Sequence, residues 1–176
     1  MKYLILFLLS FNCYSQCVET YNRTDYTHFL SGVREQAIED NSIYILVDNN
    51  PVQYILDEYT GNLLEVGKDE IHLDHIVPLR WAHENGAKCW TNEKRTMFAN
   101  DPLNTIPVSG SSNRRKYWKL LDFIPSKLAF CEDYYLRIEK VIEKYNLNEL
   151  SEKFKDHIDR CIDMNIGVRI NRHNFP

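Results

Sequence analysis

The sequence lacks the compact metal-binding and redox motifs that would assign a function directly. It has no Cys-x-x-Cys pair, which argues against a structural zinc site or a thioredoxin-like redox centre, and no His-Glu-x-x-His pattern. It also has no internal repeat and no low-complexity tract. At 176 residues, 44% of them hydrophobic, the chain is long enough for one compact domain and too short for us to expect two.

Positive charge is scarce as well. The 21 Lys and Arg residues are outnumbered by 25 Asp and Glu residues, which gives a net charge of −4. This balance argues against a broad nucleic-acid-binding surface, because such a surface needs many local cations. The distribution is uneven, however: residues 88–119 contain seven basic and two acidic side chains, a local charge of +5.

Long hydrophobic runs are absent except at the N-terminus. Residues 1–11 carry one lysine and a short apolar run, far below the roughly 20 residues that cross a bilayer. We expect residues 1–15 to be a signal peptide cleaved after Ser15, and residues 16–176 to be one secreted or periplasmic domain without stable membrane association. A lipoprotein with Cys13 as lipid acceptor is an alternative that Asn12, directly before it, disfavours.

Removal of the signal leaves an even number of cysteines, and an exported protein with four cysteines predicts two disulfides. These are Cys17, Cys89, Cys131 and Cys161. Three pairings are open. Free buried thiols would be the better interpretation only if the chain were not exported.

The periodicity of apolar residues predicts a mixed α+β fold. We expect helices over residues 17–41, 91–99, 113–122, 128–145 and 150–164, and strands over 43–47, 52–56, 63–66, 70–77 and 103–108. Thr91 is the expected N-cap of the second helix, and residues 109–112 supply the loop and N-cap of the third. The apolar stripes of the two C-terminal helices are interpreted as core.

The central polar stretch joins residue types that suit hydrolysis of a phosphodiester. Asp74 and His75 are adjacent at the predicted end of a strand, so a carboxylate and an imidazole can reach one cleft. Asn113 offers an amide oxygen from a helix, and Lys116, three residues later, could meet a phosphate oxygen. Hard divalent ions prefer oxygen ligands, and neutral histidine is a suitable base near pH 7.

These residues stand in an order that resembles the HNH, or His-metal ββα, endonucleases, and among them the C-terminal domain of GmrSD-type restriction proteins. The likeness covers about residues 59–125 and is weaker around Cys131. The matching segments are Tyr59-Thr60-Gly61, Leu73-Asp74-His75-Ile76-Val77-Pro78-Leu79, Gly86-Ala87 with Trp90, Phe98-Ala99-Asn100-Asp101-Pro102-Leu103-Asn104, and Ser109-Gly110-Ser111-Ser112-Asn113-Arg114 with Lys116.

The resemblance implies a ββα-metal catalytic core surrounded by helices and a role for each matched residue. His75 would be the general base and Asp74 a metal ligand, while Asn104 would hold the loop and the base through backbone hydrogen bonds. Asn113, where many HNH enzymes have histidine, would be the second metal ligand.

The implied reaction is metal-dependent hydrolysis of DNA, or of RNA, with low sequence specificity, leaving 5′-phosphate and 3′-hydroxyl ends. The implied ion is Mg²⁺, with Mn²⁺ or another divalent ion as alternatives. Arg114 and Arg115 are interpreted either as phosphate contacts or as a solvated face, and Lys116 as part of the catalytic set.

Two rival interpretations stay open. A non-catalytic exported protein, binding nucleic acid or another partner through a degenerate HNH fold, would agree with the modest acidity of the chain. A zinc hydrolase would need His72, His75 and His83 to converge. We expect His72 to face away from the site, since residues three apart on a strand point to opposite sides, and His83 to lie at the surface beyond a packed Trp81.

Overall fold

A computed structural model describes residues 17–26, 30–120 and 122–148, together with residues 154, 156, 157, 159–161 and 163. The predicted signal peptide and Cys13 lie outside the described residues. Within the part of the chain that is described, no helix is long and apolar enough to cross a membrane.

The fold is α+β, as predicted, and the structure gives bounds for five strands and five α-helices. Residues 154, 156, 157, 159–161 and 163 are also helical and lie within the predicted helix over 150–164. The strands are β1 (Ser42–Val47), β2 (Asn50–Asp57), β3 (Asn62–Glu65), β4 (Ile71–His75) and β5 (Thr105–Ser109). The helices are α1 (Val33–Asp40), α2 (Leu79–Glu84), α3 (Asn92–Ala99), α4 (Gly110–Lys116) and α5 (Leu128–Tyr145), and short 3₁₀ turns occupy Arg23–Asp25 and Ala87–Cys89.

The first three strands form an antiparallel sheet in the order β1-β2-β3. A two-residue turn joins β1 to β2, and both of its residues, Asp48 and Asn49, have positive φ (51° and 67°). This is the geometry that short polar turn residues favour in tight hairpins. The predicted strands at 43–47, 52–56 and 63–66 are therefore confirmed to within about two residues at each end.

The second sheet pairs β4 with β5, antiparallel, with Asp74 opposite Ile106. Helix α4 follows β5 without an intervening loop, because Ser109 ends the strand and also caps the helix by accepting a hydrogen bond from the backbone N–H of Ser112 at 3.1 Å. The predicted helix over 113–122 was therefore placed wrongly: it begins at Gly110 and ends at Lys116. Two strands and a helix, β4, β5 and α4, thus adjoin one another, and Asp74 and His75 lie on β4 while Asn113 lies on α4.

The N-terminal helix was also predicted wrongly as one long element. The 3₁₀ turn at Arg23–Asp25 and α1 are separate, and Gly32 precedes α1 with φ of 90°. Helix α2 was not predicted at all. In contrast, α3 begins after Thr91, whose hydroxyl accepts from the N–H of Lys94, and α5 spans the predicted 128–145.

The main core packs α5 against the second sheet and the short helices. Its centre is aromatic: Tyr59 and Tyr134 are fully buried, and their ring centroids lie 5.7 Å apart in an edge-to-face arrangement. Disulfides join Cys17 to Cys89 and Cys131 to Cys161. The structure thus has one of the three pairings that the sequence left open. The two disulfides join cysteines that are 72 and 30 residues apart in the sequence.

Candidate active site

A cavity of about 400 Å³ lies where β4 meets α4 and the start of α2. It brings together four polar side chains of the central stretch: His72, Asp74, His75 and Asn113. Its rim is formed by arginines and aromatic residues, namely Tyr21, Arg23, Arg80, Arg114, Tyr117 and Trp118. The adjacent Asp-His pair and the helix asparagine, far apart in sequence, therefore reach one space.

Asp74 is a buried carboxylate with an asymmetric environment. Its Oδ2 atom accepts a hydrogen bond from the Tyr59 hydroxyl at 2.8 Å and lies 3.0 Å from the Lys116 ammonium. Among the described residues, none donates a hydrogen bond to the other oxygen, Oδ1. One oxygen is therefore held in place by the protein, while the other belongs to a side chain that lines the cavity.

Lys116 lies inside the protein and not at the surface where a phosphate contact was expected. Its side chain is fully buried, and its ammonium donates to the carbonyl oxygen of His75 at 2.6 Å as well as pairing with Asp74. The expectation failed because the final turn of α4 points its lysine toward the end of β4. Burial lowers the pKa of Lys116, and the charge and hydrogen bond of Asp74 oppose that effect.

His75 is buried at the end of β4, with 7% of its surface exposed. Its Nε2 lies 2.8 Å from the carbonyl oxygen of Ala99, so the neutral ring donates from Nε2 and carries its basic lone pair on Nδ1. Burial lowers the pKa of His75 to about 4, more than the hydrogen bond to Ala99 and the charge of Asp74 raise it. The imidazole is therefore neutral at pH 7.

Asn104 joins the segment after β4 to the segment before β5. Its side-chain oxygen accepts from the backbone N–H of Val77 at 2.8 Å, and its amide group donates to the carbonyl oxygens of Val77 and Phe98, each at 3.3 Å. Its own carbonyl oxygen accepts from the N–H of Ile76 at 2.8 Å. These bonds surround the backbone that follows His75, but Asn104 does not line the cavity.

His72 does not face away from the site, contrary to the expectation. It lies two residues from Asp74 on the same face of β4, and the error came from counting the strand period from His75. The Asn113 amide group donates to His72 Nδ1 at 3.3 Å, and His72 Nε2 lies 2.9 Å from Glu70. This contact turns the amide nitrogen of Asn113 toward His72 and its oxygen away from His72.

The two arginines behave differently. Arg114 lines the cavity, and its guanidinium forms two hydrogen bonds with Glu70, at 2.8 and 2.9 Å. Those hydrogen bonds lower the pKa of Glu70. Arg115 points away, donating to the Ser126 hydroxyl at 2.9 Å and lying over the ring of Phe123. Of the two predicted phosphate contacts, only Arg114 is near the other site residues.

Two residues that support the site were not singled out for that role from the sequence. Tyr59 belongs to a matched segment, yet only the fold places its hydroxyl on Asp74. Asp57 is fully buried, and one of its oxygens accepts from the Ser109 N–H at 3.2 Å and from the Ser112 hydroxyl at 2.9 Å. An acidic group at the first turn of a helix is favourable, so Asp57 fixes the start of α4. No pattern in the sequence connects residues 57 and 112.

The three histidines of the zinc-hydrolase interpretation do not converge. His83 is not at the surface, as expected, but buried, and its Nδ1 lies 2.9 Å from the Tyr26 hydroxyl. Within the described ranges, no three His, Cys, Asp or Glu side chains are grouped so that they could hold a metal ion. Among the described residues that line the cavity, Asp74 and Asn113 offer a carboxylate and an amide oxygen, the donor types that a hard ion such as Mg²⁺ prefers.

Comparison of the sequence with protein families gives a match over most of the chain. Residues 26–153 match the family described as GmrSD restriction endonucleases, C-terminal domain, and the chain belongs to that family. The candidate site therefore lies in a member of an endonuclease-related family.

Among curated proteins, the chain is similar to an uncharacterized secreted protein of Arthroderma benhamiae (strain ATCC MYA-4681 / CBS 112371). The two are 28% identical over 106 residues, which are 54% of this chain and 52% of the relative. The chain therefore spans about half the length of that relative. No solved structure shows significant similarity to the chain.

Proposed function

We propose that the chain is an exported, metal-dependent endonuclease that hydrolyses phosphodiester bonds with low sequence specificity, on DNA in preference to RNA. The observation that carries the proposal is the convergence of Asp74, His75 and Asn113 on one cavity in a member of an endonuclease-related family. Neutral histidine, carboxylate and amide are the groups that such a reaction needs.

In the proposed reaction His75 accepts a proton from water through Nδ1. The hydrogen bond from Nε2 to Ala99 fixes that tautomer, and the low pKa of the buried ring keeps it unprotonated at neutral pH. Asn104 holds the backbone beside this histidine, so that the base keeps its direction.

Asp74 and Asn113 would hold the divalent ion, most simply Mg²⁺, with Asp74 Oδ1 and Asn113 Oδ1 as the protein ligands. Such an ion supplies positive charge to the scissile phosphate and to the leaving 3′ oxygen. Lys116 and Tyr59 hold Asp74 Oδ2, which directs the other oxygen toward the cavity. The products would be 5′-phosphate and 3′-hydroxyl ends.

The test is nicking of supercoiled plasmid at neutral pH with Mg²⁺, Mn²⁺ or EDTA. We expect cleavage by the wild type with a divalent ion, none in EDTA, and a loss of at least about 100-fold in His75→Ala, the scale of lost general-base catalysis. His157→Ala, at a histidine that does not line the cavity, is the matched control. Absence of cleavage with every divalent ion would refute the nuclease and leave the non-catalytic binding protein.

Export is the second part of the proposal. It is supported by two disulfides and by the apolar N-terminal run, and the similar Arthroderma benhamiae protein is named as secreted. Expression of the full chain in a secreting host should give medium or periplasmic protein whose N-terminus, read by mass spectrometry, begins at Gln16. An uncleaved chain retained in the cytoplasm would contradict it.

A further inference from the structure

Two large aromatic side chains stand exposed at the rim of the cavity. Tyr117 is 67% exposed and Trp118 is 41% exposed, and both line the same cavity as Asp74 and His75. Their ring centroids are 6.2 Å apart with an angle of 60° between the planes. Exposed aromatic groups that share a cavity with a candidate hydrolytic site are a surface on which a flat ligand can stack.

The backbone at Tyr117 is held in a conformation that suits glycine. After α4, the Lys116 carbonyl accepts from the N–H of Lys119 at 3.0 Å, which closes a tight turn with Tyr117 at φ 56° and ψ −125°. The other non-glycine residues with positive φ in the described chain are the types that tolerate it, Asp48, Asn49 and Asn146. A bulky residue in such a conformation is strained, and strain of this kind is concentrated at functional sites.

Arg80 contacts the ring of Trp118. Its guanidinium carbon is 5.1 Å from the centre of the Trp118 ring, and its Nε donates to Glu84 at 3.0 Å. The arginine is thus anchored along α2 and stacks on the indole, which restricts the ring. A restricted ring loses less conformational freedom when a base stacks on it.

We propose that Tyr117 and Trp118 form a stacking site for an unpaired base, so that the substrate of this cavity is single-stranded nucleic acid, or a strand that is locally unpaired. The inference rests on the proposed function for its substrate class. A base within a duplex has both faces covered by its neighbours, whereas an unpaired base exposes them, and every base offers such a face. Sequence-tolerant binding of this kind agrees with a nuclease of low specificity.

Binding is measured by fluorescence anisotropy in EDTA, so that metal-dependent cleavage does not interfere. The probes are a labelled short oligothymidylate, an oligouridylate of equal length and a labelled hairpin duplex. We expect wild-type protein to bind both single strands more tightly than the duplex. Tyr117→Gly and Trp118→Ala should each weaken binding of the single strands by about 5- to 150-fold, the contribution of stacking one base.

Three variants separate stacking from folding. Tyr117→Gly suits the positive φ and should keep or raise the melting temperature, so its loss of binding cannot arise from unfolding. Tyr117→Phe keeps the ring and should bind as the wild type does. Tyr44→Ala removes an equally exposed tyrosine from β1, away from the cavity, and should leave binding unchanged.

Equal or tighter binding of the duplex, wild-type affinity in Tyr117→Gly, or no binding of any probe would overturn the proposal. The plasmid assay distinguishes its failure from that of the proposed nuclease. Nicking of the plasmid by a protein whose anisotropy shows no preference for single strands removes the stacking site and keeps the nuclease. Selective, Tyr117-dependent binding without cleavage under any divalent ion keeps the stacking site and removes the nuclease.

Discussion

Replacing Lys116 with methionine tests how the candidate site is held together. The lysine is fully buried, and its ammonium lies 3.0 Å from Asp74 Oδ2 and 2.6 Å from the His75 carbonyl oxygen. Methionine is of similar length and apolar, so Lys116→Met removes the charge and both contacts without opening a large cavity. The Asp74 carboxylate then stays buried with the Tyr59 hydroxyl as its hydrogen-bond donor.

The expected cost is large because one charge is left without its partner. Breaking a buried ion pair from one side destabilises proteins by about 3–5 kcal/mol, against a total stability of about 5–15 kcal/mol. Asp74→Asn in the same background removes the uncompensated charge. The double variant should therefore be more stable than Lys116→Met alone, which makes the two substitutions strongly non-additive.

The measurement is urea unfolding of the four proteins of this cycle at pH 7, without reductant so that both disulfides stay intact. Lys119→Met, at an exposed lysine three residues away, is the control and should change the free energy of unfolding by less than about 0.5 kcal/mol. A loss below about 1 kcal/mol in Lys116→Met, or additive effects in the double variant, would show that the pair does not hold Asp74.

Three further predictions concern stability. Asn104→Ala should cost about 2–4 kcal/mol in urea unfolding, because buried backbone groups lose their partners; a change below about 0.5 kcal/mol would contradict this. Removal of the Cys17–Cys89 disulfide, which closes a loop of 72 residues, by the paired substitutions Cys17→Ser and Cys89→Ser should lower stability by about 4 kcal/mol; a melting temperature equal to that of the oxidised wild type would count against it. Asp101 is buried, which raises its pKa, but hydrogen bonds led by Lys144 lower it overall. The ionised carboxylate of Asp101 therefore raises the free energy of unfolding above the unfolded pKa of about 3.9, and this contribution disappears as pH falls through the lower folded pKa. Asp101→Asn should lower the free energy of unfolding at pH 7 and have no such effect in strong acid.

Elements whose signals are local could be predicted from the sequence. The β1–β2 hairpin follows from β-branched residues around Asp48 and Asn49, and α3 from the Thr91 cap. Helix α5 follows from its apolar period. In each case the residues that stabilise the element lie within it or next to it, so a short window contains the whole argument.

Elements that depend on distant partners could not be predicted in this way. The sequence Gly110-Ser111-Ser112 has weak helix propensity, and α4 starts there because Asp57, from β2, accepts hydrogen bonds at its first turn. Lys116 turns inward because a carboxylate 42 residues earlier lies beneath it. His83 is buried because Tyr26 contacts it from the N-terminal segment. None of these contacts has a signal in the local pattern.

The site shows the same division. Of Asp74, His75, Asn104 and Asn113, the residues singled out by their order in the sequence, all but Asn104 line one cavity. The prediction that His72 faces away from the site was wrong. Residues two apart on a strand lie on the same face, so the spacing between His72 and Asp74 indicates that both face the site. The exposed aromatic rim was not predicted, because exposure of Tyr117 and Trp118 depends on where α4 ends.

Several basic side chains of residues 88–119 have partners within the protein. Lys116 pairs with Asp74, and Arg114 pairs with Glu70. Arg95 is buried and donates to backbone carbonyl oxygens. Much of the local charge of +5 therefore belongs to side chains that bind carboxylates or carbonyl oxygens of the protein itself, and it does not form a continuous cationic surface. In a chain with a net charge of −4, long-range attraction of a polyanion is weak. The affinity for nucleic acid that we propose would then depend on short-range contacts inside the cavity, where Tyr117 and Trp118 lie.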